Sequence, residues 1–167
     1  KDQKKFKIVI GDTIALTPPM GWNSWNCWAK DVDQEKVLAS AKAMVDKGLI
    51  NHGWTYINID DSWQGTRGGE FGGIQPNEKF PDMKRLGDQI HSMGLKIGIY
   101  STPWITSYAM YNGGSSDDEQ GKWDPSLAKN EFRKDGKKLF AENDAKQWAA
   151  WGIDYLKYDW NPRSKPA

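Results

Sequence analysis

Short apolar runs of strand length alternate along this chain with longer stretches whose apolar residues recur at helical spacing. The strand-like runs are Met20–Trp25, introduced by Thr17-Pro18-Pro19, then Tyr56–Asp61, Leu95–Ser101 and Tyr155–Asp159. Each is short and β-branched or aromatic, as buried strands are. The stretches between them predict helices. Asp33–Lys47 carries Val37, Leu38, Ala41, Met44 and Val45; Asp82–Met93 carries Met83, Leu86, Ile90 and Met93; Lys137–Trp151 carries Leu139, Phe140, Ala145, Trp148 and Ala149. Asp33 is placed to cap the first of them, and Gly48, Gly94 and Gly152 are placed to stop all three. An earlier alternating run, Phe6–Ile10, reads as a strand of a preceding β-domain or of a barrel cap.

Three βα units followed by a fourth strand predict a parallel sheet in an α/β fold. A doubly wound sheet and a (β/α)8 barrel both satisfy that pattern. No G-x-G-x-x-G follows the first strand, which counts against dinucleotide binding. The loops favour the barrel. Long polar and aromatic segments, Trp63–Pro81 and Thr102–Asp135, follow the second and third strands, while the helix-to-strand connections are short. A barrel active face is built from such loops. The glycine-rich stretch Gly65–Gly73 lacks the G-K-[ST] ending of a phosphate cradle and reads as a hairpin or loop.

Composition narrows the function. The 167 residues fall short of the roughly 250 of a complete barrel. The net charge is +1 and no basic block is interleaved with aromatics, so nucleic acid is not an expected partner. The lysines of Lys1–Lys7 read as a solvated leader or linker. No run approaches 18 apolar residues and no signal peptide is visible, which predicts a soluble chain with no membrane partner. Cys27 stands alone, so neither an intrachain disulfide nor a cysteine-rich metal site is expected. The aromatic content is unusual: ten Trp, several times the ordinary share. Their flat faces suit sugar rings, as they suit other ligands.

Candidate chemistry gathers at strand ends. Asp60 and Asp61 close the second strand; Lys157 and Asp159, two apart and so on one face, close the fourth. In a barrel that face is the interior, where a Lys beside an Asp holds the carboxylate ionised, as a nucleophile requires. A structural ion pair is the alternative reading of Lys157 and Asp159, and turn capping that of Asp60 and Asp61. His52 and His91 show no metal-ligand spacing, and no Ser-His-Asp arrangement is present. Carboxylate chemistry remains, and retaining glycosidases work with two carboxyl groups, needing no cofactor.

Four segments are more specific. Leu16–Trp25 resembles the opening of glycoside hydrolase family 27, the α-galactosidase and α-N-acetylgalactosaminidase family; Tyr56–Trp63 resembles its second-strand motif, Gly94–Tyr100 its third, and Asp154–Asp159 its nucleophile strand. The resemblance spans residues 16–161 and implies the N-terminal half of a (β/α)8 catalytic domain over 16–167, with 1–15 as leader or linker strand. It implies a retaining exo-glycosidase acting on terminal α-D-galactosides of oligosaccharides or glycoconjugates. Asp159 matches the catalytic nucleophile. Trp25 matches the aromatic pocket wall, Asp60 and Asp61 the pair that binds the O4 and O6 hydroxyls, Lys157 another hydroxyl partner, and Tyr100 a third-strand residue near the nucleophile. The acid/base comes from later strands of the family's barrel and is not expected within this chain.

The sequence also departs from the family's pattern. Ser62 and Trp160-Asn161 stand where many members carry cysteines, and the Trp104–Trp123 segment is unlike that of compact members. These changes leave the sugar open: α-N-acetylgalactosaminides, β-L-arabinopyranosides and isomaltose-type glucans are alternatives, as is a non-catalytic sugar-binding fragment. The family implies a secreted or periplasmic location. A half-barrel is expected to expose strand edges and apolar inner surface, and so to self-associate.

Overall fold

The computed structural model of the chain describes residues 18–126 and 133–159. The Phe6–Ile10 run, the 1–15 leader and Trp160-Asn161 lie outside these residues. In chain order the elements are β1 (Gly21–Asn23), α1 (Trp25–Trp28), α2 (Gln34–Asp46), β2 (Tyr56–Ile59), β3 (Gln64–Gly68), β4 (Gly73–Pro76), α3 (Met83–Ser92), β5 (Lys96–Ser101), β6 (Ser115–Ser116), β7 (Lys138–Leu139), α4 (Ala141–Trp151) and β8 (Tyr155–Tyr158).

Strands β1, β2, β5 and β8 form one sheet in that order, and each neighbouring pair is parallel. Successive β/α units add strands side by side, as expected when each crossover is a helix packed on the sheet. Ile57, Ile59, Ile97 and Ile99 point to one side and are fully buried against Val37, Ala41, Leu86 and Ile90 of the helices and against Trp148 and Trp151 of α4. Each aliphatic side chain so buried contributes about 1.5–3 kcal/mol before chain entropy is charged against it. Residues of opposite parity, Tyr56, Asn58, Lys157 and Tyr155, occupy the other face and are half-buried. Gly98 is required there. A Cβ on it would collide with Oδ1 of Asn58 and lie 3.1 Å from the Tyr155 ring.

Local chemistry sets the helix ends. The Asp33 carboxylate accepts the Lys36 backbone N–H at 2.8 Å and Asp82 that of Arg85 at 2.9 Å, each satisfying a donor that the helix cannot. α4 stops at Gly152, whose φ of 77° is left-handed. Its start differs from the predicted one. Residues Lys138–Leu139 pair with Ser115–Ser116 as an antiparallel β7–β6 ladder, and the helix begins only at Ala141. Leu139, counted on the apolar face of a helix from Lys137, is 63% exposed, because strand pairing turns it outward.

The glycine-rich stretch forms the antiparallel β3–β4 hairpin. It is tied to α4 by a buried, two-pronged ion pair: Arg67 donates to Oδ1 of Asp144 at 2.6 Å and to Oδ2 at 3.0 Å. Arg67 also reaches the Gly113 carbonyl and lies 4.3 Å from the centre of the Phe140 ring. One expectation is corrected. The sheet's inner face is polar and aromatic; an exposed apolar patch lies instead on the helix side of β8. There Leu156 and Tyr158 line, with Ala141, Ala145 and Trp148, a groove of about 520 Å³. Outward residues of β8 are apolar because in a β/α layer that side is meant for a helix.

Candidate active site

The C-terminal ends of the parallel strands converge on a pocket of about 270 Å³ lined by Trp25, Asp60, Asp61, Tyr100, Tyr108, Lys157 and Asp159. The six site residues named from the sequence thus share one cavity. The ladder explains how. Tyr100 of β5 lies opposite Lys157 of β8, and the pairing runs one step further where the Asp159 N–H donates to the Ser101 carbonyl at 2.9 Å. At the other edge the Ser24 hydroxyl, fully buried after β1, accepts the Asp60 N–H at 2.9 Å and fixes the end of β2. Trp25, read from the sequence as the end of the first strand, instead begins α1: β1 stops at Asn23, whose Oδ1 accepts the Trp25 N–H at 3.0 Å and turns the chain.

Charge is distributed differently from the sequence expectation. Lys157 does not pair with Asp159; its ammonium lies 2.6 Å from Oδ2 of Asp60, a carboxylate that is 3% exposed. Asp159 instead accepts the Tyr100 hydroxyl at 3.0 Å. The reason is direction. Lys157 is long enough to cross the pocket from β8 to β2, whereas Tyr100, on the adjacent strand, stands beside Asp159 with its ring 1% exposed. Burial, then the charges of Asp61 and Asp159, push the Tyr100 hydroxyl far above its ordinary pKa. It therefore remains a donor throughout the working range.

Asp61 is 1% exposed and surrounded by donors. Its Oδ1 accepts the Ser62 N–H at 2.7 Å and the Gln64 amide at 3.0 Å, and its Oδ2 accepts the Ala109 N–H at 2.6 Å. Burial raises its pKa, and these donors, which bind the ionised form, pull against that rise. The chain turns sharply just after it, with Ser62 at a φ of 84°.

Sequence reasoning placed the long loop after β5 on the active face but did not single out the residues within it that close the pocket. Residues 105–113, within the long loop after β5, fold back as a bridge between Thr106 and Asn112. They are tightened by the Ser107 N–H to the Tyr111 carbonyl at 2.7 Å and the Gly113 N–H to the Ile105 carbonyl at 2.8 Å. From its tip the Ala109 N–H binds Asp61, and Tyr108 lines the cavity. Only the length and aromatic content of the segment signalled it in sequence. Among the described residues no group of three or more His, Cys, Asp or Glu could hold a metal ion.

A parallel β/α layer whose strand ends hold three carboxylates, a lysine and aromatic rings defines a β/α-barrel protein with a polar-ligand pocket on its C-terminal face. Comparison with known proteins gives the family. The family model described as "Alpha galactosidase A" matches residues 17–124. "Alpha-galactosidase A" of Cellvibrio japonicus (strain Ueda107) is 40% identical over 161 residues, covering 92% of this chain and 34% of that protein. "Alpha-galactosidase" of Coffea arabica is 38% identical over 155 residues, covering 92% and 35%. The crystal structure of alpha-galactosidase I from Mortierella vinacea superposes with a TM-score of 0.69 at 35% identity, covering 90% of this chain and 32% of that one. The chain belongs to the alpha galactosidase A family, and its sheet is an arc of the family's (β/α)8 barrel. It spans about a third of the length of the curated relatives it matches.

Proposed function

We propose that this chain is the nucleophile-bearing part of a retaining exo-glycosidase that removes terminal α-D-galactosyl groups from oligosaccharides or glycoconjugates. One observation carries the reading: Asp159 sits in the pocket with an oxygen held by the Tyr100 hydroxyl, while Lys157, the nearest cation in sequence, is occupied by Asp60. A carboxylate aimed into a pocket by a neutral donor, not neutralised by a lysine, keeps the charge density that attack on an anomeric carbon needs. In the step proposed, an Asp159 oxygen bonds to the anomeric carbon as the bond to the leaving oxygen breaks. Water then cleaves the glycosyl-enzyme ester and restores both the carboxylate and the anomeric configuration.

The other two carboxylates fit binding. Asp60 and the Lys157 ammonium together offer an acceptor and donors to vicinal sugar hydroxyls. Trp25 supplies a flat face for the ring's C–H groups. Neither Asp60 nor Asp61 suits the acid/base. The first is ion-paired, and a protonated Asp61 would turn its own O–H against the donors that surround it. That group is therefore assigned to residues outside this chain, and none of these roles calls for a cofactor.

The test is intact-mass analysis of the full-length protein after incubation with a fluorinated α-galactosyl fluoride, whose second step is slow. One added sugar, mapped to Asp159, is the expected result. Asp159→Asn should abolish the label and lower turnover at least about 10³-fold. A wild-type protein that binds galactose yet takes no label would reduce the site to a binding pocket or redirect it to another sugar.

A further inference from the structure

We infer that Tyr108 is a specificity-determining residue, the platform at the pocket mouth on which the ring of a sugar leaving group stacks. The inference rests on the galactoside reading above and names the half of the substrate which that reading leaves open. The pocket is graded in depth. Asp60, Asp61 and Tyr100 are 1–2% exposed and make its floor, whereas Tyr108 is 47% exposed and lines the same cavity. A terminal sugar held against the floor leaves its glycosidic oxygen facing the mouth, so the next ring of an oligosaccharide emerges beside Tyr108.

The ring is also held in place. The backbone of the next residue is fastened to the pocket floor, the Ala109 N–H donating to buried Asp61 at 2.6 Å, so the loop tip is tied down beside the ring. The Arg133 guanidinium lies 5.2 Å from the centre of the Tyr108 ring and 5.6 Å from that of Trp104, backing the platform with a cation–π contact. A large aromatic side chain left this exposed is costly unless something apolar covers it, and the C–H face of a pyranose does so while its hydroxyls stay wet. An aromatic anchored in this way adds binding without an ordering cost at each encounter.

Two substrates separate the roles in the full-length protein: an α-galactosyl-(1→6)-glucose disaccharide, whose leaving group is a ring, and α-galactosyl fluoride, whose leaving group is one atom. Tyr108→Leu keeps bulk in the loop but removes the flat face. It should lower the disaccharide-to-fluoride ratio of kcat/KM about three- to tenfold, chiefly through KM of the disaccharide. Tyr108→Phe and Tyr108→Trp should retain the ratio. A loss that affects both substrates equally, or a Tyr108→Leu ratio equal to wild type, overturns the inference. A wild-type protein that cleaves neither substrate overturns the galactoside reading itself and this inference with it; one that cleaves both while Tyr108→Leu keeps the wild-type ratio overturns the inference alone.

Discussion

Asp60 and Asp61 are neighbours in the chain, yet their partners differ completely. Asp60 faces Lys157 across the pocket, while Asp61 binds the loop after β5. Alternation along β2 puts consecutive side chains on opposite faces, and the turn at Ser62 brings the second back under the loop. Asp33 shows residue-scale energetics in a simpler setting. Burial acts to raise its pKa, but the Lys36 ammonium and backbone N–H outweigh that and hold the carboxyl below its usual range. A lowered folded-state pKa contributes stability above the unfolded value, near 3.9, that is lost as the pH falls through the folded one. Asp33→Ala should therefore cost about 1 kcal/mol at neutral pH, and chemical denaturation should show that cost shrinking below about pH 4.

At the scale of elements, the hairpin β3–β4, the loop after β5 and α4 are one assembly held by Arg67 and Asp144. That pair is fully withdrawn from water, and the Ile74 N–H donates to the same carboxylate at 2.9 Å. Removing one partner strands the other charge, so Arg67→Ala should destabilise by about 3–5 kcal/mol in denaturant unfolding. Arg67→Met with Asp144→Leu should recover part of that loss, since no buried charge remains. The sequence showed these elements unevenly. α2 and α3 were legible to within a residue because cap, apolar period and glycine stop agree there. The start of α4 was not, because β7 forms only by pairing with residues more than 20 positions earlier.

For the molecule as a whole, the described sheet pairs β1 and β8 on one side each, and the apolar groove beside β8 is the surface on which a further β/α unit would pack. Relatives about three times as long carry the same arc within a larger chain. Residues 1–167 expressed alone should therefore self-associate through these surfaces, seen in sedimentation velocity as a mass that rises with concentration. Leu156→Lys and Tyr158→Lys should shift it toward monomer.

The amino-acid sequence by itself determined the order of the four parallel strands and the three helices between them, and the residues at the strand ends. These follow from periodicity, caps and short motifs, all of which act within one turn or one strand. Only the tertiary structure decided who meets whom. Lys157 takes Asp60, Asp159 takes Tyr100, and a loop with no strong periodicity brings Tyr108 over the pocket. Such pairings depend on side-chain reach across strands and on loop closure. Neither quantity is written in the spacing of residues along the chain.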